Sequence, residues 1–65
     1  MAEMITDQQL LRFNHLLIAK GTARDEVEHN LLQHFEVSDL GDITFARAAK
    51  YITELEDELR KTQLA

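Results

Sequence analysis

The segment Thr44-Phe45-Ala46-Arg47-Ala48-Ala49-Lys50-Tyr51-Ile52-Thr53-Glu54-Leu55-Glu56-Asp57-Glu58-Leu59 decides the fold. Phe45, Ala48, Ile52, Leu55 and Leu59 recur at steps of 3, 4, 3 and 4, the spacing of one apolar stripe on an α-helix. Thr44 supplies a hydroxyl at the position where a helix needs an N-terminal cap. Glu56 with Arg60, and Asp57 with Lys61, are spaced for ion pairs one turn apart, each worth a few tenths of a kcal/mol. The pattern predicts a helix from Phe45 to about Gln63.

Two further helices are predicted upstream. Thr6-Asp7-Gln8-Gln9 reads as a capping box, in which the threonine hydroxyl and the glutamine amide each bond the other's backbone N–H. Leu10, Phe13 and Leu17 follow on one face, and Lys20-Gly21 ends the helix with a residue suited to a left-handed turn. Thr22 is then expected to cap a second helix, with Asp25 and Glu26 near its positive end and an inward face of Ala23, Val27, Leu31 and Phe35. Between the second and third helices, Val37, Leu40 and Ile43 are apolar at steps of three, which fits one short helical turn started by Ser38 or Asp39. No segment alternates with period two. The fold class expected is all-α: a compact three-helix bundle with a short helical turn between helices 2 and 3. Residues 1–5 read as an N-terminal tail and residues 6–64 as a single domain.

Composition narrows function mainly by exclusion. The 65 residues include no cysteine, no proline, no tryptophan and two glycines, so a disulfide scaffold and a Cys-based zinc finger are out. A chain of this length buries only about 60% of its unfolded surface, and so thin a core leaves little room for a pocket of the ~300–1,000 Å³ that small-molecule sites occupy. The excess of acid, 12 Asp and Glu against 7 Lys and Arg, works against nonspecific attraction to nucleic acid or anionic membrane. The longest apolar run, Leu16 to Ala19, is far below the roughly 20 residues of a membrane span. Met1-Ala2-Glu3-Met4 has neither a basic nor an apolar signal region, so the expected location is the cytoplasm.

No catalytic constellation stands out, and the chain is read as a non-enzyme without a cofactor or small-molecule substrate. Glu26 and His29 form one Glu-x-x-His pair, but a carboxylate-bridged metal bundle needs two such pairs and further carboxylates. His29 and His34 are five residues apart and fall on different sides of a helix. Ser38 is the one serine and lies in no nucleophile elbow. Gly21 and Gly41 stand alone, so there is no phosphate loop.

Two surfaces invite a partner. Helix 1 carries an apolar arc wider than a single core-facing stripe, and Leu11, Leu16, Ile18 and, from helix 2, Leu32 are its candidate interface for a protein partner or a second copy. On helix 3, Arg47, Lys50 and Tyr51 share one side, the minimal set for stacking on single-stranded bases, with Arg12 or Arg24 as possible neighbours. An ordinary solvated face, with Asp39 and Asp42 neutralising the cations, is the competing explanation. A third reading makes the acidic run Glu54 to Glu58 a mimic of DNA phosphate that blocks a DNA-binding enzyme.

The order of residues also carries a resemblance. Ile5-Thr6-x-x-Gln9-x-x-x-Phe13, the Gly21 break, Glu26-Val27, Phe35-x-Val37-x-x-Leu40 and Ile43-Thr44-x-x-x-Ala48-x-x-x-Ile52-x-x-Leu55 look like a small helical module. It resembles the C-terminal accessory region of phage-type single-strand annealing recombination proteins, over about residues 5 to 59. The annealing core of that family is not in this chain, so no catalytic or DNA-binding residue is carried over. The resemblance implies an accessory or interaction module of phage or prophage association.

Overall fold

The computed structural model describes residues 2–64, and the three expected helices are there: α1 (Asp7–Ala19), α2 (Val27–Phe35) and α3 (Phe45–Leu64). The fold is an all-α three-helix bundle. The capping box forms in both directions. The Gln9 N–H donates to Thr6 Oγ1 at 3.2 Å, and the Thr6 N–H donates to Gln9 Oε1 at 3.1 Å. Gln9 does one thing more than a local cap requires, since its Nε2 donates to the Phe45 carbonyl at 3.2 Å. It is 8% exposed, so this amide joins the start of α1 to the start of α3 from inside the molecule.

Residues 3–5 are bonded to the same place. The Ile5 N–H donates to the Ile43 carbonyl and the Phe45 N–H to the Glu3 carbonyl, both at 2.8 Å, around an antiparallel bridge between Met4 and Thr44. Two backbone hydrogen bonds thus clasp the segment read as a tail against the lead-in to α3. Thr44 also caps α3 through its side chain, accepting from the Arg47 N–H at 3.2 Å.

α1 ends as its glycine predicts. Gly21 has φ of 108°, and the Gly21 and Thr22 N–H groups donate back to the Ile18 and Leu17 carbonyls at 3.0 and 2.9 Å. That double bond pattern is a Schellman turn. Thr22 is consumed by it through its backbone, and the expected threonine cap on the second helix does not form. Ala23 instead leads into a 3-10 turn, Arg24–Glu26, before α2 begins, with no side-chain cap at either start. Because α2 starts only at Val27, Ala23 lies outside it and is exposed, which corrects its expected place on the inward face. Val27, Leu31 and Phe35 are buried as expected.

The second connection holds a 3-10 turn, Leu40–Asp42, where the apolar steps of three predict one. Ile43 behind it is completely buried. The core combines Phe13, Leu16 and Leu17 of α1, Val27, Leu31 and Phe35 of α2, Ile43, and Ala48 and Leu55 of α3. Ile52 and Leu59 pack half-buried against it. Phe45 heads the α3 stripe in sequence but is 40% exposed, since the stripe reaches the core only one turn later at Ala48.

Three rings, one from each helix, meet at the centre. Phe13 and Phe35 lie edge to face at 6.3 Å, and Tyr51 sits 5.5 Å from Phe13 and 5.6 Å from Phe35. Edge-to-face pairs of this kind add about 0.5–1.5 kcal/mol each beyond their burial. α1 and α3 run in the same general sense, because Gln9 meets Phe45 near one end and Lys20 meets Glu58 near the other. Ion pairs Arg12–Glu56 and Lys20–Glu58 cross the seam. The expected Glu56–Arg60 and Asp57–Lys61 pairs are replaced: Glu56 turns to Arg12, and Arg60 lies 3.9 Å from Asp57. Among the described residues no helix is long and apolar enough to cross a membrane.

Candidate binding surfaces

The four apolar residues expected at an interface divide. Leu11 is 57% exposed and Ile18 38% exposed. They line one shallow groove with Asn14, His15 and Arg24. Leu16 is only 5% exposed and belongs to the core, so it leaves the interface set. The reason is geometric: α1 lies against α3 along this side, and Leu16 joins the core against which Leu59 packs, beside the Arg12–Glu56 pair. Leu32 is half-buried on α2 and does not line the Leu11–Ile18 groove. The arc on α1 is therefore mostly core, with a narrow exposed edge.

Arg47, Lys50 and Tyr51 do come together. They line one groove between the end of α2 and the first turns of α3, with His34, Phe35 and Glu54. The Arg47 guanidinium sits over the Phe35 ring, 5.4 Å from its centre. Tyr51 is placed differently from a free stacking platform. Its inner side packs against Phe13 and Phe35, while the His34 ring stacks on it at 3.6 Å with 8° between planes. The Tyr51 hydroxyl donates to Asn30 Oδ1 at 3.4 Å. Burial raises the pKa of that hydroxyl above its ordinary value, with Lys20 opposing and Glu58 and Glu54 reinforcing the shift.

The outward aromatic of the groove is thus His34, which the sequence does not single out. No periodic signal marks it, because it stands beside the buried face of α2 and only the α2–α3 packing turns it toward Tyr51. Arg12 and Arg24 do not join this groove. Arg12 is paired with Glu56 across the α1–α3 seam, and Arg24 lines the groove of Leu11 and Ile18. Asp39 and Asp42, expected to neutralise the two cations, do not line the groove either. Arg47 and Lys50 have no ion-pair partner among the described residues.

The acidic run does not form one continuous face. Glu56 and Glu58 are held by Arg12 and Lys20, and Glu54 borders the cationic groove. The hydrogen bond from Lys20 keeps the Glu58 carboxyl below its ordinary pKa. Among the described residues no three His, Cys, Asp or Glu side chains form a set that could hold a metal ion. Comparison of the chain with protein-family models, curated proteins and solved structures yields no match.

Proposed function

We propose that this chain is a non-catalytic helical interaction module that pairs helix against helix through the outer face of α1, with a second copy of itself as the partner. The observation that carries this reading is the exposed pair Leu11 and Ile18, seven residues apart on one line of the helix. At 100° per residue Asp7, Leu11, Asn14 and Ile18 fall within about 60° of one another. Arg24 borders the same groove at the far end. The face therefore runs acid, leucine, amide, isoleucine, base.

A two-fold axis across α1 turns that order onto its own complement. Asp7 meets Arg24 of the second copy, and Leu11 meets Ile18, as an isologous interface requires. Only two large apolar side chains per copy take part, each contributing at most about 1.5–3 kcal/mol when fully buried. Association costs about 4–15 kcal/mol in lost freedom, which offsets most of that gain, so the pairing is weak and is populated only at high chain concentration. An accessory role in a phage or prophage setting agrees with the resemblance carried by residues 5–59. The cysteine-free composition supports a reducing, cytoplasmic location.

Sedimentation equilibrium over a wide concentration range tests the reading. The expected result is a reversible monomer–dimer equilibrium that Ile18→Glu abolishes while far-UV circular dichroism stays unchanged. A chain that stays monomeric at millimolar concentration, or an Ile18→Glu variant that associates as before, overturns it.

A further inference from the structure

We propose that the groove between the end of α2 and the start of α3 binds a nucleotide unit of single-stranded nucleic acid, its phosphate on Arg47 and Lys50 and its base on the outer face of His34. The groove lies on α2 and α3 and is separate from the α1 face on which the interaction reading rests.

Three observations converge on it. Arg47 and Lys50, like Arg24 and Lys61, have no carboxylate within ion-pair reach among the described residues, and they alone of these four share one groove. Both sit in the first two turns of α3, where the helix dipole disfavours positive charge. An anion in the groove offsets that unfavourable interaction with the dipole. Second, Arg47 is held over the buried Phe35 ring, so its guanidinium is placed before any ligand arrives. Third, His34 and Tyr51 already form a two-layer stack with near-parallel planes, and His34 is the exposed layer.

A base laid on His34 becomes the third layer of that stack. Base–aromatic stacking is worth about 1–3 kcal/mol and tolerates any base, so sequence preference is expected to be slight. Glu54 fixes the direction. It borders the groove one turn beyond Lys50 and repels phosphate, which confines the phosphate to the Arg47 side. The overall acidity of the chain opposes long-range attraction, and binding is therefore local and weak.

The test is an amide-shift titration at low salt with three probes: a short oligodeoxythymidylate, thymidine monophosphate and inorganic phosphate. The expected result is a set of shifts centred on residues 34, 35, 47, 50 and 51, strongest with the oligomer. One neutralised phosphate gives a slope of about −0.7 in log K against log salt, so affinity drops about 2.6-fold between ~50 and ~200 mM. Lys50→Glu is expected to weaken oligomer binding at least tenfold. His34→Ala should weaken it at least fivefold, and His34→Phe, which keeps a stacking face, should restore most of it.

Equal saturation by thymidine monophosphate upholds the chemistry and assigns the ligand to a free nucleotide. Full reproduction of the shifts by inorganic phosphate overturns base recognition. Absence of shifts at ~20 mM salt, or a folded Lys50→Glu variant that binds as well as the parent, overturns the proposal.

Discussion

Leu16 and Leu11 are the same residue type, five positions apart on one helix, and they have opposite fates. Leu16 is 5% exposed and Leu11 57%. The inner face of α1 (Gln9, Phe13, Leu16, Leu17) meets both other helices, whereas the outer face meets solvent along Leu11 and Ile18. Hydrophobicity alone does not separate the two faces. What separates them is the rotation of α1 about its own axis, which seats Phe13, Leu16 and Leu17 in the core and brings Gln9 to the Phe45 carbonyl.

The largest expected effect lies on the inner face. Leu16→Ala should lower stability by about 2–5 kcal/mol, read from the denaturant midpoint. For 65 residues total stability is about 3–10 kcal/mol, so the variant stands near the edge of unfolding. A loss below about 1 kcal/mol would erase the distinction between the faces. Gln9→Glu sharpens it more selectively. Glutamate satisfies the capping box as well as glutamine does, yet it cannot donate to the Phe45 carbonyl and sets a negative charge against it. A loss of about 1–3 kcal/mol is expected where a purely local cap predicts none.

The rim between the faces gives a smaller, pH-dependent effect. The folded pKa of Glu58 lies below its unfolded value because Lys20 bonds the ionised form. Its contribution is therefore complete above the unfolded pKa and fades as pH falls through the folded one. Lys20→Met should flatten that acid-limb decline in a plot of denaturant midpoint against pH by slightly lowering the neutral-pH value, while the value at acid pH, where Glu58 is protonated in both states, stays unchanged. The smallest effect is on the outer face: Leu11→Ala should alter monomer stability by no more than about 0.5 kcal/mol. Any change it makes should appear in sedimentation.

Features encoded within a few residues were legible in the sequence. The Thr6–Gln9 box, the Gly21 stop, the Thr44 cap and the 3-10 turn at Leu40 all depend on neighbours within one helical turn. The contrast between the two helix ends shows where such legibility stops. α2 closes with the same pair of back-bonds as α1, from Glu36 to Gln33 and from Val37 to Leu32, but its left-handed residue is Glu36, with φ of 56°. A glutamate carries no signature of that conformation, which costs it roughly 1–2 kcal/mol relative to the right-handed region. Packing of Val37 against the core offsets this. The start of α2 was obscured for a related reason, as Thr22 has the chemistry of a cap but its backbone is taken by the preceding turn.

The candidate sites follow the same division. Arg47, Lys50 and Tyr51 lie within five residues of one helix, and their grouping on one side is a matter of spacing. His34 reaches them only through tertiary packing. The burial of Leu16 is likewise a product of how α1 is rotated against α3.

The clasp between residues 3–5 and 43–45 couples two places that are far apart along the chain. The Ile5 and Phe45 amides are bonded across the same bridge, one to Ile43 and the other to Glu3. Neither can be released to solvent deuterium without parting the same two bridged segments, so both should exchange with one opening free energy. Their exchange rates give a direct reading of how often the first turns of α1 and α3 come loose together.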